Sequence, residues 1–143
     1  ETAGSNRDLV EPWPGVQPLN AAARWNVKMP VPRGAAHVYT ECSRIWNPIH
    51  TDRAVALAVG LPDIILHGTA TLAMAVSAVV ESEAGGDPTR VKRIRCRFGA
   101  MVLMPSTLTV EGVRTASPEG DAVTFTVLTD DGAPAIRDGV LVL

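Results

Sequence analysis

The order of apolar and polar positions divides the chain into a helical first half and a strand-rich second half. The first half contains an apolar series at the spacing i, i+3, i+4 and i+7, which predicts a helix of about ten residues with one apolar face. The residues of this series are Ala35, Val38, Tyr39 and Cys42. A second short helix is expected to start at Thr51 or Asp52 and to end at Gly60. Residues 68 to 82 are apolar nearly all round, which is typical of a buried helix.

After residue 86 the pattern changes to strands separated by turn residues. Four strands are expected, at residues 90 to 103, 107 to 115, 121 to 129 and 134 to 143. An earlier run with loose alternation, residues 23 to 29, predicts a strand that Pro30 and Pro32 end. A buried helix packed against a meander of antiparallel strands is the simplest arrangement of these elements, so the expected fold class is α+β.

Length and composition favour one globular domain. The 143 residues are 46% apolar and 20% charged, which suits a chain that buries a core of its own. Residues 1 to 22 have no periodicity and contain several turn formers, so they are predicted to form an N-terminal arm. The turn formers are Pro12, Pro14, Gly15 and Pro18. The single domain is expected to cover residues 23 to 143.

Charge and cysteine usage exclude several classes of function. A net charge of −2 gives no basic surface for nucleic acid. The longest apolar run, residues 69 to 80, is shorter than the roughly 20 residues that span a bilayer, so no membrane contact is expected. No secretory signal pattern is visible, and a cytoplasmic protein is expected. Cys42 and Cys96 lack metal-ligand spacing and are expected to be small buried side chains, with a single disulfide left open. No metal site is predicted.

The residues with the greatest chemical potential lie in two neighbouring segments. Residues 39–52 read YTECSRIWNPIHTD, and residues 60–68 read GLPDIILHG. Taken alone, an Asn-Pro turn or a single histidine is more often structural than catalytic. The order and spacing of Asn47, Pro48, His50, His67 and Gly68 together are much more specific.

These segments resemble the hydratase-2 signature of the MaoC-like family, which comprises (R)-specific enoyl-CoA hydratases and dehydratases. The resemblance extends over residues 35 to 143 and includes Gly86-Asp87-Pro88 and the basic strand that ends at Arg97-Phe98. It implies a hot-dog fold, in which a curved antiparallel sheet wraps around one long buried helix. It also implies a lyase that acts, without a cofactor, on a 2-enoyl or 3-hydroxyacyl thioester of coenzyme A or of an acyl carrier protein.

The resemblance assigns expected roles to individual residues. His50 corresponds to the acid/base histidine, the backbone N–H of Gly68 to the donor that stabilises the thioester oxyanion, and Asn47 to the residue that holds the loop presenting His50. From its place before Gly68 at a helix start, His67 is expected beside the substrate, where it would order the turn or hydrogen-bond the loop. Hot-dog proteins of this kind pair their sheets edge to edge and build the active site at the interface, so a homodimer or a heterodimer with a related hot-dog chain is expected.

One position departs from the signature. Ser43-Arg44-Ile45 stands where the family has Ser-Gly-Asp, so Ile45 occupies the position of the catalytic aspartate and is expected to face the substrate without transferring a proton. Three nearby residues with polar side chains have ordinary expected roles. Asp52 is expected to cap the following helix, Glu41 to be exposed, and Tyr39 to lie in the core.

The basic strand has two open interpretations. Alternation places Arg93, Arg95 and Arg97 on one face, where they would bind the phosphates of coenzyme A or form a solvated surface. The function has alternatives as well. A protein that kept the pocket and lost the chemistry would be a non-catalytic acyl-thioester binder or a subunit of a heteromeric hydratase. Thioester hydrolysis or an isomerisation that uses His50 alone is the third possibility.

Overall fold

The computed structural model of the protein describes residues 17–18 and 24–143. Along these residues the elements follow the order β1 (Gln17–Pro18), β2 (Arg24–Val31), α1 (Ala35–Ser43), a 3₁₀ turn (Pro48–His50), α2 (Arg53–Ala58), α3 (Gly68–Glu83), a second 3₁₀ turn (Pro88–Arg90), β3 (Arg93–Phe98), β4 (Ser106–Ser117), β5 (Gly120–Leu128) and β6 (Pro134–Val142). Helices therefore precede a run of strands, as the pattern of apolar positions predicts.

The described strands form one antiparallel sheet with the order β1-β4-β5-β6-β3, and β2 also pairs with β4. β2 lies opposite residues 106–113 of β4, while β1 lies opposite residues 115–116. The two N-terminal strands therefore share one edge of the sheet, and β3 forms the other edge. β1 is the described part of the predicted N-terminal arm, and the remainder of that arm lies outside the described residues.

Helix α3 lies against β4, β5 and β6, and its contacts with them form the core. Small residues such as Ala75 and Ala78 let the helix approach the sheet closely, because their side chains occupy little space. The buried apolar side chains around them include Val79, Leu108, Val110, Val123, Phe125, Val127, Ile136 and Leu141. The prediction of a buried helix is confirmed, although one line of side chains at a spacing of four remains exposed. This line consists of Thr69, Ala73, Ser77 and Glu81.

Helix α1 forms where the sequence predicts it, and its predicted apolar face is half right, because Ala35 and Tyr39 pack against the core. The helix also buries Ala36 and Thr40, whereas Val38 is 63% exposed and Cys42 is exposed. The spacing rule considers apolar residues alone, yet the Thr40 hydroxyl lies inward, where it meets the buried polar partner described below. The expected burial of Cys42 is therefore wrong, and both cysteines are free.

Two predicted strand ends also differ from the structure. β2 continues through Pro30 to Val31, because an edge strand tolerates a residue that lacks an N–H donor. β3 ends at Phe98 rather than at residue 103. An added Cβ at Gly99 would collide with the Pro134 carbonyl oxygen, so the backbones approach closely there. The following residues pair instead with the segment before α3, where Leu66 N donates to the Val102 carbonyl at 2.8 Å.

Among the described residues, no helix is long and apolar enough to cross a bilayer.

Candidate active site at the start of helix α3

His50 is presented by a short turn whose geometry follows from its sequence. Asn47 adopts an extended backbone and caps the turn, its Oδ1 accepting from Ile49 N at 3.4 Å. Pro48 occupies the first position, where its fixed φ suits a helical turn and its missing N–H removes no bond. His50 N then donates to the Asn47 carbonyl at 3.1 Å. Asn47 thus holds the loop from which the His50 side chain projects.

The His50 ring is fixed by a backbone carbonyl. Its Nδ1 lies 2.7 Å from the Ile65 carbonyl oxygen, and the ring is half-buried. A carbonyl oxygen only accepts, so Nδ1 carries the proton when the ring is neutral. Nε2 is then left with its lone pair. The geometry therefore makes Nε2 of His50 the atom that can take a proton from a bound molecule.

His67 lies against His50 and is almost completely buried, with 2% of its surface exposed. The two rings stack with centroids 3.7 Å apart and planes at 22°. His67 Nε2 lies 3.2 Å from Thr40 Oγ1 and 3.4 Å from the Ile45 carbonyl oxygen, so Nε2 carries the proton and donates to that carbonyl. Among the described residues, its buried Nδ1 has no hydrogen-bond partner.

Burial and the neighbouring His50 ring lower the pKa of His67. Desolvation lowers the pKa of His67 most, and the proximity of His50 lowers that pKa further, while the hydrogen bond to the Ile45 carbonyl opposes both. Protonation at Nδ1 would also place a donor where, among the described residues, no acceptor lies. The surroundings of His67 therefore favour its neutral form.

Gly68 is the first residue of α3, directly after His67. The first backbone N–H groups of a helix have no acceptor within the helix, and the helix dipole favours negative charge near them. An added Cβ at Gly68 would lie 3.1 Å from Cδ1 of Phe98, so the ring of Phe98 packs directly against this glycine. A cavity of about 140 Å³ opens beside the glycine. Its lining is largely apolar and includes Ile65, Leu66, Thr71, Phe98, Met101, Val102 and Ala135.

Ile45 lies beside the histidine pair, because its carbonyl accepts from His67. Its side chain is 41% exposed and supplies no titratable group. Asp52, two residues beyond His50, uses its Oδ1 to accept from Ala54 N at 2.8 Å and from Val55 N at 3.2 Å. Its predicted role as the cap of α2 is therefore confirmed. Glu41 is exposed as predicted, and the ring of Tyr39 lies 4.9 Å from that of His67.

The arginines of β3 are not brought to this site by the described chain. Side chains alternate along a strand, and Cys96 and Phe98 face the core and the start of α3, so Arg93 and Arg95 point to the other face of the sheet. Arg93 pairs with Glu119 at 2.6 Å, and Arg95 lines a separate cleft of about 610 Å³. Their expected role in binding phosphates remains a prediction.

Three participants in the site are missed by the sequence. Thr40 contacts His67 across 27 positions, and no spacing rule links a helical threonine to so distant a histidine. The carbonyls of Ile45 and Ile65 carry no side-chain signature at all. His67 is identified by its place before Gly68, but its stacking on His50 follows only from the fold. Within the part of the chain that the structure describes, no group of three acidic, histidine or cysteine side chains could hold a metal ion.

Comparison with known families assigns this architecture. The sequence model described as "MaoC like domain" matches residues 16–133. This chain belongs to the MaoC-like family. The hot-dog fold expected from the sequence is confirmed, since solved MaoC-like structures share the same arrangement of sheet and helix.

Individual relatives extend the comparison. Over 66 residues the chain is 42% identical to the enzyme named enoyl-CoA hydratase 2, peroxisomal, of Arabidopsis thaliana; these residues are 46% of this chain and 21% of the relative. A MaoC-like dehydratase from Phytophthora capsici superposes with a TM-score of 0.76 at 28% identity, over 88% of this chain and 40% of that one. The ChsH1-ChsH2 complex of Mycobacterium tuberculosis shares the fold with a TM-score of 0.63 at 20% identity, over 90% of this chain and 93% of that one. The chain spans less than a third of the curated relatives named enoyl-CoA hydratase that it matches.

Proposed function

We propose that this domain adds water reversibly across the double bond of a 2-enoyl thioester, as a hydratase or, in reverse, as a dehydratase. The observation that carries the proposal is the arrangement at the start of α3. His50 stacks on His67, the residue before Gly68, and its Nδ1 bonds the carbonyl of Ile65. Ile65 and Gly68 both line the apolar cavity at this end of the helix. The family membership and the name of the Arabidopsis relative support the same reaction class.

In the proposed reaction, His50 Nε2 takes a proton from water as the water oxygen bonds to Cβ of the enoyl group. The electron pair of the double bond moves towards the thioester carbonyl, and the N–H of Gly68 donates to the oxyanion that develops there. A fixed donor of this kind stabilises the developing charge without reorganisation. The proton then passes from His50 to Cα, which restores the carbonyl and releases neutral His50. A positioned acid/base group contributes roughly 10²- to 10⁴-fold to such a step.

Ile45 explains why a single histidine carries both proton transfers in this proposal. The position that supplies an aspartate in the family signature holds an aliphatic side chain, and the nearest alternative, Asp52, is engaged in capping α2. Nδ1 of His67 is unpaired among the described residues but buried, so Nε2 of His50 is the basic atom of the site to which the proposal assigns both transfers. We expect the reaction of the isolated domain to be slow as a result.

Ile45 also favours a second candidate function. Because this position carries no acid, the domain would bind an acyl thioester without converting it, or would act as one subunit of a heteromeric hydratase. The large apolar side chains exposed around the site fit a covered surface. They are Ile45, Trp46, Phe98, Met101 and Leu103. The ChsH1-ChsH2 complex, which shares the fold, supports this candidate.

The proposed assembly follows from the edges of the sheet. β3 ends the strand order, and its described partner is β6 on one side, so the other side presents backbone donors and acceptors. Ile94 and Phe98 on this strand are 42% and 51% exposed. We therefore expect a homodimer or a heterodimer with a related hot-dog chain. Light scattering that shows an active monomer at micromolar concentration would contradict this expectation.

The test is incubation of the pure protein with a panel of 2-enoyl and 3-hydroxyacyl thioesters of coenzyme A, followed by mass spectrometry. Hydration raises the mass of the enoyl thioester by that of one water and leaves the thioester intact. Hydrolysis instead releases free coenzyme A and a carboxylic acid. Binding without any change in mass, measured by calorimetry on the same panel, would support the binding function and contradict the catalytic one.

A further inference from the structure

The buried polar side chains of the described residues are few, and one of them touches the proposed base. Buried side chains with polar atoms are Thr40, His67, Thr71 and Thr115. His67 is the titratable member of this set, and the mechanism above gives it no proton to transfer. Burying an imidazole with one nitrogen unpaired costs free energy, so its presence calls for a physical explanation.

His67 joins the separate segments from which the site is built. It is the residue before α3, its Nε2 contacts Thr40 of α1, and the same atom donates to the Ile45 carbonyl in the loop before the 3₁₀ turn. The flat face of its ring lies 3.7 Å from the ring of His50, which that turn presents. The other titratable ring packed against it is Tyr39, at 4.9 Å.

We propose that His67 is a positioning residue for His50. The buried His67 ring stacks on the His50 ring and holds it in the orientation in which His50 Nδ1 donates to the Ile65 carbonyl. That bond determines which nitrogen of His50 holds the lone pair. Without the His67 ring, the His50 ring can rotate about its side-chain torsions, and water competes with the Ile65 carbonyl for His50 Nδ1. The kinetic part of this inference rests on the proposed hydratase function, whereas the part that concerns the ring of His50 does not.

The surroundings of His67 favour a flat ring over other side chains. Thr40 and the Ile45 carbonyl hold the edge of the ring at Nε2, which prevents it from turning away from His50. A phenylalanine would preserve the stacking face and most of the volume while losing the donor at Nε2. A leucine would preserve volume without a flat face. These two replacements therefore separate stacking from hydrogen bonding and from simple filling of space.

The experiment uses protein labelled with ¹⁵N in its histidines, and reads the tautomer of His50 from its ring-nitrogen chemical shifts at neutral pH. The wild type is expected to show His50 as a single form protonated at Nδ1. His67→Ala is expected to show a mixture of both tautomers, and His67→Phe to restore most of the single form. Thr115→Val, a substitution at another buried position, is the control and should leave the spectrum of His50 unchanged. If His67→Ala does not fold, His67→Leu takes its place, with the same expected mixture.

Turnover of the enoyl thioester provides the second measurement. His67→Ala is expected to lower kcat by about 10- to 100-fold while KM changes little, because a misplaced base slows the chemical step more than it weakens binding. His67→Phe should recover most of this loss. A folded His67→Ala or His67→Leu protein in which His50 keeps its single tautomer would overturn the proposal. An inactive wild type would instead count against the hydratase function, and the tautomer result would still decide the role of His67.

Discussion

The two ends of helix α3 hold buried polar groups in opposite ways. At its last turn Glu83 has a side chain that is 11% exposed, and both of its carboxylate oxygens are engaged. Oε1 accepts from Trp25 Nε1 at 2.7 Å, and Oε2 accepts from Arg114 Nε at 2.8 Å. At its start His67 is more deeply buried, yet its Nδ1 has no partner among the described residues.

This difference separates a structural role from a functional one. Glu83 ties the end of the helix to β2 and β4, and its hydrogen bonds offset the cost of burying a carboxylate. The start of the helix keeps an unpaired nitrogen, a stacked pair of histidines and several exposed apolar side chains, none of which an isolated stable fold requires. We infer that the last turn of α3 stabilises the domain and that the first turn serves its chemistry.

The largest effect is expected from His50→Ala. Removal of the only proposed base should lower turnover of the enoyl thioester by about 10²-fold or more, because no other described side chain replaces its Nε2. The thermal midpoint should change little, since the ring is half-buried at the edge of the domain. His37→Ala is the histidine control: His37 is exposed and its Nε2 lies 3.2 Å from the carbonyl oxygen of Thr51, which follows His50, so its loss should lower turnover much less than His50→Ala does. Equal turnover in wild type and His50→Ala would show that the histidine motif is structural.

Glu83→Ala tests the other end of the helix. Loss of two hydrogen bonds to a largely buried carboxylate is expected to lower the free energy of unfolding by about 2 kcal/mol, measured by urea denaturation. Turnover by the protein that remains folded should stay close to that of the wild type. Glu119→Ala is the control, because its exposed pair with Arg93 should contribute at most about 1 kcal/mol. A loss of turnover larger than the loss of folded protein would contradict the division of roles.

Ile45→Asp tests the departure from the family signature. A carboxylate at this position should raise the rate of crotonyl-CoA hydration by about tenfold or more, because a second acid/base group would share the proton transfers. The 41% exposure of Ile45 leaves water around the new carboxylate, so its stability cost should stay below that of a fully buried charge. Ile45→Asn, which has nearly the same shape and no charge, is the control. The expectation is contradicted if the wild type already hydrates crotonyl-CoA rapidly and a folded Ile45→Asp protein shows no higher rate. The second acid/base group would then lie elsewhere.

Asp52→Ala should have the smallest effect. Loss of the cap of α2 is expected to lower the free energy of unfolding by about 1 kcal/mol, and Asp52→Asn should restore most of it, since asparagine caps helices equally well. Chemical denaturation of the three proteins measures this difference. If turnover fell about 10²-fold in Asp52→Ala while Asp52→Asn remained stable but inactive, the carboxylate would be a catalytic group rather than a cap.

The elements were predictable where local composition and end signals define them. The all-round apolar run predicted α3, the residues that cap its ends predicted α2, and the turn residues between apolar runs predicted the last three strands to within a few residues. The sequence-based predictions were wrong where contacts between residues distant in sequence determine the structure. Thr40 lies inward because His67 meets it, and the strand before Gly99 ends because the next residues pair with Ile65 and Leu66.

The site could be predicted in part. Spacing identified Asn47, His50, His67 and Gly68, which the fold brings together at one end of α3. The stacking of the two histidines and the carbonyls that orient them depend on the backbone path, which no residue type records. Arg93 and Arg95 share a face as alternation predicts, but that face lies on the other side of the sheet from Gly68. Substrate-binding roles and the compartment in which the protein acts remain predictions.

The most direct test of the central claim is the incubation of a 2-enoyl-CoA with the wild type in ¹⁸O-labelled water. If the start of α3 hydrates the double bond, the product is a 3-hydroxyacyl-CoA that carries one ¹⁸O on Cβ, with its thioester intact. With His50→Ala at the same concentration, this labelled product should form about 10²-fold more slowly or less. Label found in a released carboxylic acid together with free coenzyme A, or no labelled product at all from a folded wild type, would contradict the claim.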